Sequence, residues 1–283
     1  MPAAQHQTNA ATRDQWEANA SGWHRQGAVV RDWLHLPTKV LFEMAGIAPG
    51  QAVLDVAAGA GDQTLDLAGL VGPKGRVVAT DISPAILTHA AAAALAAGYL
   101  NVETHVADAE DLALPKASFD AAICRLGLMF LTKPQAGLAA IHHTLKPGAR
   151  LAVMVFAAPD QNPCLRITMG TALRHAGLEP RDPFQPGSLT SLGRPGDLET
   201  LFAAAGFKGI TSTRIDAPFR LPKPADYVAF LRDAAGPVID IVSHLSAPAK
   251  MAAWAAIQSQ LEAFQTDDGW VGPNSLILTA GTR

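Results

Sequence analysis

The chemistry this sequence offers sits in one run of small residues and three acidic positions. In Asp55-Val56-Ala57-Ala58-Gly59-Ala60-Gly61-Asp62 the side chains are small enough for backbone to approach a ligand, and amides at the start of a following helix point outward toward it. Asp81 lies about 20 residues beyond Gly61, at the end of the next apolar run, where a carboxylate accepts both hydroxyls of a ribose. Asp108, in Val106-Ala107-Asp108-Ala109, closes a third run and is suited to accept a hydrogen bond from an exocyclic amine. Ile82 and the residues around Leu126 would then sandwich a flat base. A glycine loop followed by an acid at this distance also describes a nicotinamide dinucleotide site, but the third glycine of that pattern falls at Thr64. The plainer alternatives are an ordinary two-glycine turn and a solvated acidic turn at Asp108, Glu110 and Asp111.

These residues need a scaffold, and the hydrophobic pattern supplies one. Short strand-forming runs separated by turn residues are expected at Ala52–Val56, Arg76–Thr80, Val102–Val106, Phe119–Cys124 and Arg150–Phe156, the last almost wholly apolar. Helical patterns separate them, beginning near Gly61, at Ser83-Pro84 and near Gln135. Strand and helix alternating in this way predict a doubly wound parallel sheet covered on both faces. A helix over Asp197–Ala205, a sixth strand over Lys208–Arg214 and a closing strand over Ser275–Ala280 bring the sheet to seven strands, an α/β Rossmann-like fold. Two helices are expected before the first strand, so residues 1–47 read as a helical lid and 48–283 as the main domain. Cap insertions are expected at about 159–195, which is proline-rich, and at about 221–264, which reads as helical.

Bulk properties narrow the class. A hydrophobic fraction of 49% against 17% charged gives ample apolar material for one large core. The net charge of -3, with basic residues scattered, offers no stripe for phosphate backbones, so no nucleic acid partner is expected. No apolar run approaches the ~20 residues that cross a bilayer, and the first residues have neither the basic nor the apolar region of a secretory signal; a cytoplasmic protein with no membrane partner is expected. Cys124 and Cys164 are too few for a disulfide framework. No His/Cys cluster has zinc-ligand spacing, and the adjacent His142 and His143 point apart on a helix, so no metal is expected. The sequence leaves room for a homodimer.

Five segments in order, VLDVAAGAGD, VVATDIS, DAEDL, SFDAAICRLGLMF and LKPGARL, resemble the class I S-adenosylmethionine-dependent methyltransferases, and within them the ubiquinone and menaquinone biosynthesis C-methyltransferases. The resemblance covers about Ala48 to Phe156 plus the closing helix and strands. It implies S-adenosylmethionine as cofactor, with Asp55 and the backbone of Ala57, Gly59 and Gly61 at its amino acid end, Asp81 on the ribose, and Asp108 and Ala109 at the adenine edge. Arg125 and Leu126 would line the methyl donor, and Trp23, in Trp16-Glu17-Ala18-Asn19-Ala20-Ser21-Gly22-Trp23, would close over it. Most of the family has glycine where this chain has Ala57, although the quinone subgroup often has alanine.

On the acceptor side, His24 and Arg125 are the candidate catalytic residues: histidine as the usual general base for an oxygen or carbon acceptor, Arg125 as a charge too costly to bury without a partner. Phe219, Tyr227, Phe230, Leu231 and Trp254 predict a pocket for a flat or hydrophobic small molecule, O- or C-methylated. The chain lacks the histidine-containing, glycine-rich ending of the quinone enzymes, a departure that bears on a quinone acceptor. The fold would equally serve a cyclase or binding protein that keeps the cofactor without transferring its methyl group.

Overall fold

The central strands are almost wholly apolar, the pattern of a parallel sheet buried on both faces, whereas the edge strands at Val102–Val106 and Lys208–Asp216 are polar and largely exposed. The computed structural model describes the backbone of residues 2–283 and the side chains from residue 9 onward, so the first eight residues of the expected lid carry no side-chain description here. Helices α1 (Pro2–Arg25) and α2 (Gly27–Ala45) lead into β1 (Ala52–Val56), α3 (Asp62–Val71), β2 (Arg76–Asp81), α4 (Pro84–Ala96), β3 (Val102–Val106) and β4 (Phe119–Arg125). Then come α5 (Pro134–Thr144), β5 (Leu145–Phe156), α6 (Pro163–His175), α7 (Asp197–Ala204) and β6 (Lys208–Asp216). The chain ends with β7 (Phe219–Leu221), α8 (Pro224–Ala234), α9 (Gly236–Ser243), α10 (Ala247–Leu261), β8 (Gln265–Thr266), β9 (Gly269–Gly272) and β10 (Ser275–Thr282).

Seven strands form one sheet in the order β3-β2-β1-β4-β5-β10-β6. Only β10 runs antiparallel to its neighbours β5 and β6. Strand order reverses between β1 and β4, and the register puts Val56 beside Thr80 on one side and Cys124 on the other. The carboxyl ends of β1, β2 and β4 therefore finish level, and ligands of open α/β sheets bind in the crevice at such a switch point. Leu54, Ile123, Val153 and Leu278 are fully buried between the helical layers. Burying each such side chain contributes roughly 1.5–3 kcal/mol.

The alternating half of the chain folds as its pattern predicts; the cap is richer than predicted. The proline-rich stretch holds a 13-residue helix, α6, because Pro163 stands in its first turn, where the missing N–H costs nothing. The expected helical insertion is three helices, preceded by β7, and β7 joins β8 and β9 in a small separate sheet. The Lys146-Pro147-Gly148 turn is absorbed into β5 as an irregularity, with pairing to β4 stepping from Leu145 to Arg150. The N-terminal pair divides its labour: α2 buries Val30, Leu34 and Leu41 as a helix packed on the sheet, while α1 reaches over to α4 and α8. Gly22 makes the α1–α8 joint, since a β-carbon there would stand 1.8 Å from the Asp233 carbonyl oxygen. Among the described residues no helix is long and apolar enough to cross a membrane.

Candidate cofactor and acceptor site

The loop leaving β1 turns sharply, and its backbone is left-handed at Ala57 (φ 55°), Gly59 (φ 60°) and Gly61 (φ 88°). The three positions do different work. A β-carbon on Gly59 would lie 3.3 Å from Trp23 Nε1, so this glycine lets the indole pack directly on the loop. A β-carbon on Gly61 would lie 2.8 Å from that of Ala90, so this glycine lets α3 start against the alanine-rich α4. Ala57 points its methyl at Gly127, whose own β-carbon would stand only 2.4 Å from it. Leu126, next to that glycine, is also left-handed (φ 57°), and its amide donates to the Met154 carbonyl. Two non-glycine residues thus hold strained backbone at the ends of β1 and β4, where strain tends to accompany ligand sites.

Asp81 ends β2 with its carboxylate already placed. Gly59 N–H donates to Oδ2 and Ser83 N–H to Oδ1, both at 3.0 Å. Burial raises its pKa above the usual carboxylate range, against those amides, and Glu17 adds to the rise. An ionised carboxylate offers about four lone-pair positions, so acceptor capacity remains after these two amides. Glu17 reaches from α1 to accept hydrogen bonds from the Ser83 hydroxyl (2.5 Å) and the Ala85 amide (3.2 Å), latching the lid helix to the start of α4. Asp108 accepts from Asn9 Nδ2 at 2.6 Å and from the Glu110 amide at 2.9 Å. Asp108, Ala109, Ile82 and Leu126 all line the same cleft.

Asp55 stands apart from that group. It is fully buried beneath the loop, outside the cleft lining, where Thr64 donates to it at 2.7 Å and Gln63 at 3.3 Å. Desolvation lifts its pKa to about 7 against those hydrogen bonds. Its geometry braces the loop, and direct contact with a cofactor's amino group does not follow from it. Arg125 does line the cleft, but its guanidinium is spoken for: it donates to Thr38 Oγ1 (3.0 Å), Asp62 Oδ2 (2.6 Å) and Gln63 Oε1 (2.6 Å). The partner that burial of this charge demanded is Asp62, in the first turn of α3. Arg125 thereby ties β4, α2 and α3 together under the cofactor loop.

His24 is not brought to the cleft. Its ring is exposed and stacks on His89, centroids 4.2 Å apart, because one helical step turns it about 100° from Trp23. Trp23 does line the cleft, packed edge-on to Trp16, which in turn meets Phe130. Trp254 is core too, buried beneath Arg232 and outside the cleft lining.

The cleft is lined mostly by apolar side chains and has two distinct ends. The loop end carries the charged residues. The far end is walled by Trp33, Phe156, Phe219, Phe230 and Met169, with Tyr227 behind them. Trp33 is fixed by donating to the Ala217 carbonyl (2.8 Å) and by stacking on Phe219 (4.1 Å). Tyr227 is buried enough to push its phenol well above its ordinary pKa. Sequence reading missed Gln63, Trp16, Thr168, Met169 and Asn274 in this lining. Trp16 stands seven residues before Trp23, two helical turns, which places both rings on one face, and that signal was available.

Residues 53–148 match the family model of a methyltransferase domain. The ubiquinone/menaquinone biosynthesis C-methyltransferase UbiE of Teredinibacter turnerae is 38% identical over 137 residues, a span of 48% of this chain and 53% of that protein. The chain thus spans about half the length of the curated relative it matches. Among solved structures, the YcgJ protein of Bacillus subtilis aligns with a TM-score of 0.58 at 19% identity, over 88% of this chain and 98% of that one. The [4+2]-cyclase SpnF aligns with a TM-score of 0.53 at 22% identity, over 87% and 80%. At those identities the two structures speak to the fold alone.

Proposed function

We propose that this chain, whose residues 53–148 match a methyltransferase domain and which is 38% identical over 137 residues to a ubiquinone/menaquinone biosynthesis C-methyltransferase, is a class I S-adenosylmethionine-dependent enzyme that transfers the methyl group of that cofactor to oxygen or carbon of a small, hydrophobic acceptor of aromatic or polyketide-like character. The observation that carries the reading is the cleft at the carboxyl ends of β1, β2 and β4, where Gly59, Asp81, Asp108 and Ala109 line one continuous space with Ile82 and Leu126. The residues fit the cofactor. Backbone at Ala57 and Gly59 would hold its amino acid end, Asp81 its ribose, and Asp108 with Ala109 its adenine edge between Ile82 and Leu126.

When bound, S-adenosylmethionine supplies a methyl group already activated on a sulfonium. The chain's own contribution is then alignment and exclusion of water, the terms that fixed geometry supplies best. Arg125, held by Asp62, Gln63 and Thr38, positions the loop at the junction of the two ends. Trp16, Trp23 and Phe130 roof it. At the far end Tyr227 is the titratable side chain in the lining, and its burial keeps the phenol protonated at neutral pH. The reading therefore favours an acceptor whose reacting atom ionises readily or is nucleophilic as it stands.

Incubation with methyl-labelled cofactor and a panel of phenols, quinones and amines tests this. Label should appear on a phenol or quinone. Binding of S-adenosylhomocysteine without label transfer to any of them would favour a non-methylating role on this fold. Calorimetric binding of NAD in place of S-adenosylhomocysteine would overturn the cofactor assignment itself.

A further inference from the structure

Two buried asparagines lie at the carboxyl-end edge of the sheet, and they contrast sharply. Asn162, fully buried, spends its whole side chain on the backbone: Nδ2 donates to the carbonyls of Ala157 (3.0 Å), Ala158 (3.3 Å) and Ser275 (3.1 Å), and Oδ1 accepts from the Ser275 amide (2.9 Å). Asn274 is 3% exposed, yet neither its Oδ1 nor its Nδ2 has a hydrogen-bond partner among the described residues. It lines the far end of the cleft. The Thr168 hydroxyl on α6, 1% exposed and lining the same cleft, is equally unpartnered. Buried polar atoms are nearly always paired, and leaving them unpaired costs stability. Asn274 is also held in place, because its carbonyl accepts from the Ala217 amide (2.8 Å) between Pro273 and β10.

We propose that the Asn274 side-chain amide, supported by the Thr168 hydroxyl, is the polar anchor of the acceptor subsite and takes a neutral, flat molecule presenting a hydrogen-bond donor beside a hydrogen-bond acceptor, as a lactam or a hydroxy-carbonyl group does. The inference rests on the proposed function for its identification of the far end as the acceptor's. Both amide atoms are unpaired, so the pairing survives either assignment of the amide's oxygen and nitrogen. The charged lining residues, Asp81, Asp108, Glu110 and Arg125, belong to the loop end, and Arg125 already has a carboxylate partner. A carboxylate or phosphate on the acceptor would thus be buried without a counter-charge, at high cost. An apolar body fits Trp33, Phe219 and Phe230, and the amide fixes its orientation.

The test uses the full chain and three probes followed by tryptophan fluorescence: isoquinolin-1-one, its N-methyl derivative, which has lost the donor, and 1-naphthoate, which carries charge. The wild type should bind the first about tenfold more tightly than the second, with the third weakest. In Asn274→Leu the preference should shrink to within about twofold, and Thr168→Val should reduce affinity by a smaller factor. Melting of Asn274→Leu should match or exceed wild type, whereas Asn162→Leu should melt lower. Absence of a preference in the wild type, its survival in Asn274→Leu, or a melting loss like that of Asn162→Leu would each overturn the proposal. A parallel titration with S-adenosylhomocysteine separates the two readings: probe failure with that binding intact sinks the anchor alone, while its loss sinks the cofactor assignment and leaves the probe result standing.

Discussion

The two ends of the cleft are built on opposite terms. At the loop end, polar side chains come prepaired: Asp81 with two amides, Asp108 with Asn9 and the Glu110 amide, Arg125 with Asp62, Gln63 and Thr38. At the far end the walls are aromatic and aliphatic, and Asn274 and Thr168 are left without partners. A site whose ligand never changes gains from groups fixed in advance, because little reorganisation is then needed on binding. A site that must choose among acceptors gains from unpaired groups, because the wrong ligand leaves them unsatisfied.

Gly59→Val should break the loop end most completely. The new side chain displaces Trp23, which stands 3.3 Å from the β-carbon position, and forces a β-branched residue into left-handed backbone, so S-adenosylhomocysteine binding should vanish in calorimetry while isoquinolin-1-one binding at the far end survives. Loss of both would mean that the ends are not independent.

The next effect is on stability. Burial raises Asp55 from the ordinary carboxylate range to about 7, so across pH 4 to 7 the folded state binds more protons there than the unfolded chain. Stability contributed by the neutral acid is therefore lost as pH climbs to about 7 and levels off above it. The ceiling is roughly 4 kcal/mol. Asp55→Asn should flatten that decline in thermal melts, and an unchanged slope would remove Asp55 as its source.

Asp81→Ala should weaken S-adenosylhomocysteine binding by the roughly 1.5–3 kcal/mol of a hydrogen bond to a charged group, about 10- to 150-fold, with the far-end probes unaffected. An unchanged dissociation constant would discredit the ribose assignment. His24→Ala should be the mildest, with turnover and both bindings at wild-type values, because the ring stacks on His89 outside the cleft. A slowed turnover would bring histidine back as a base.

The sequence made the loop end legible and the far end largely not. Strands β1, β2 and β4 are short, mainly apolar runs set among turn residues, and Asp81 and Asp108 stand at the ends of β2 and β3, so a linear pattern places them in one crevice. The role of Asp55 was harder to read: a buried acid bracing a loop and one facing a ligand occupy the same position in the sequence. His24 lies outside the cleft because adjacency in sequence is divergence on a helix. α6 was obscured by prolines whose helix-starting position only the fold reveals. Asn274 gave no signal, for a single asparagine before a strand reads as a turn residue until its unpaired amide is seen.

The contact between Ala57 and Gly127 makes two distant positions behave as one. The methyl of the first fills the room left by the second, 2.4 Å from where another carbon would stand. Glycine at 57 alone leaves a hole, and alanine at 127 alone a collision, but exchanging the two residues removes that collision and the left-handed strain at 57, leaving only the Cys124 sulfur, 3.1 Å from the new carbon, to give way. A chain drifting toward the glycine common at that loop position would have to cross this coupling. What looks like an isolated departure at Ala57 is half of a matched pair, closing the floor of the cleft from two strands.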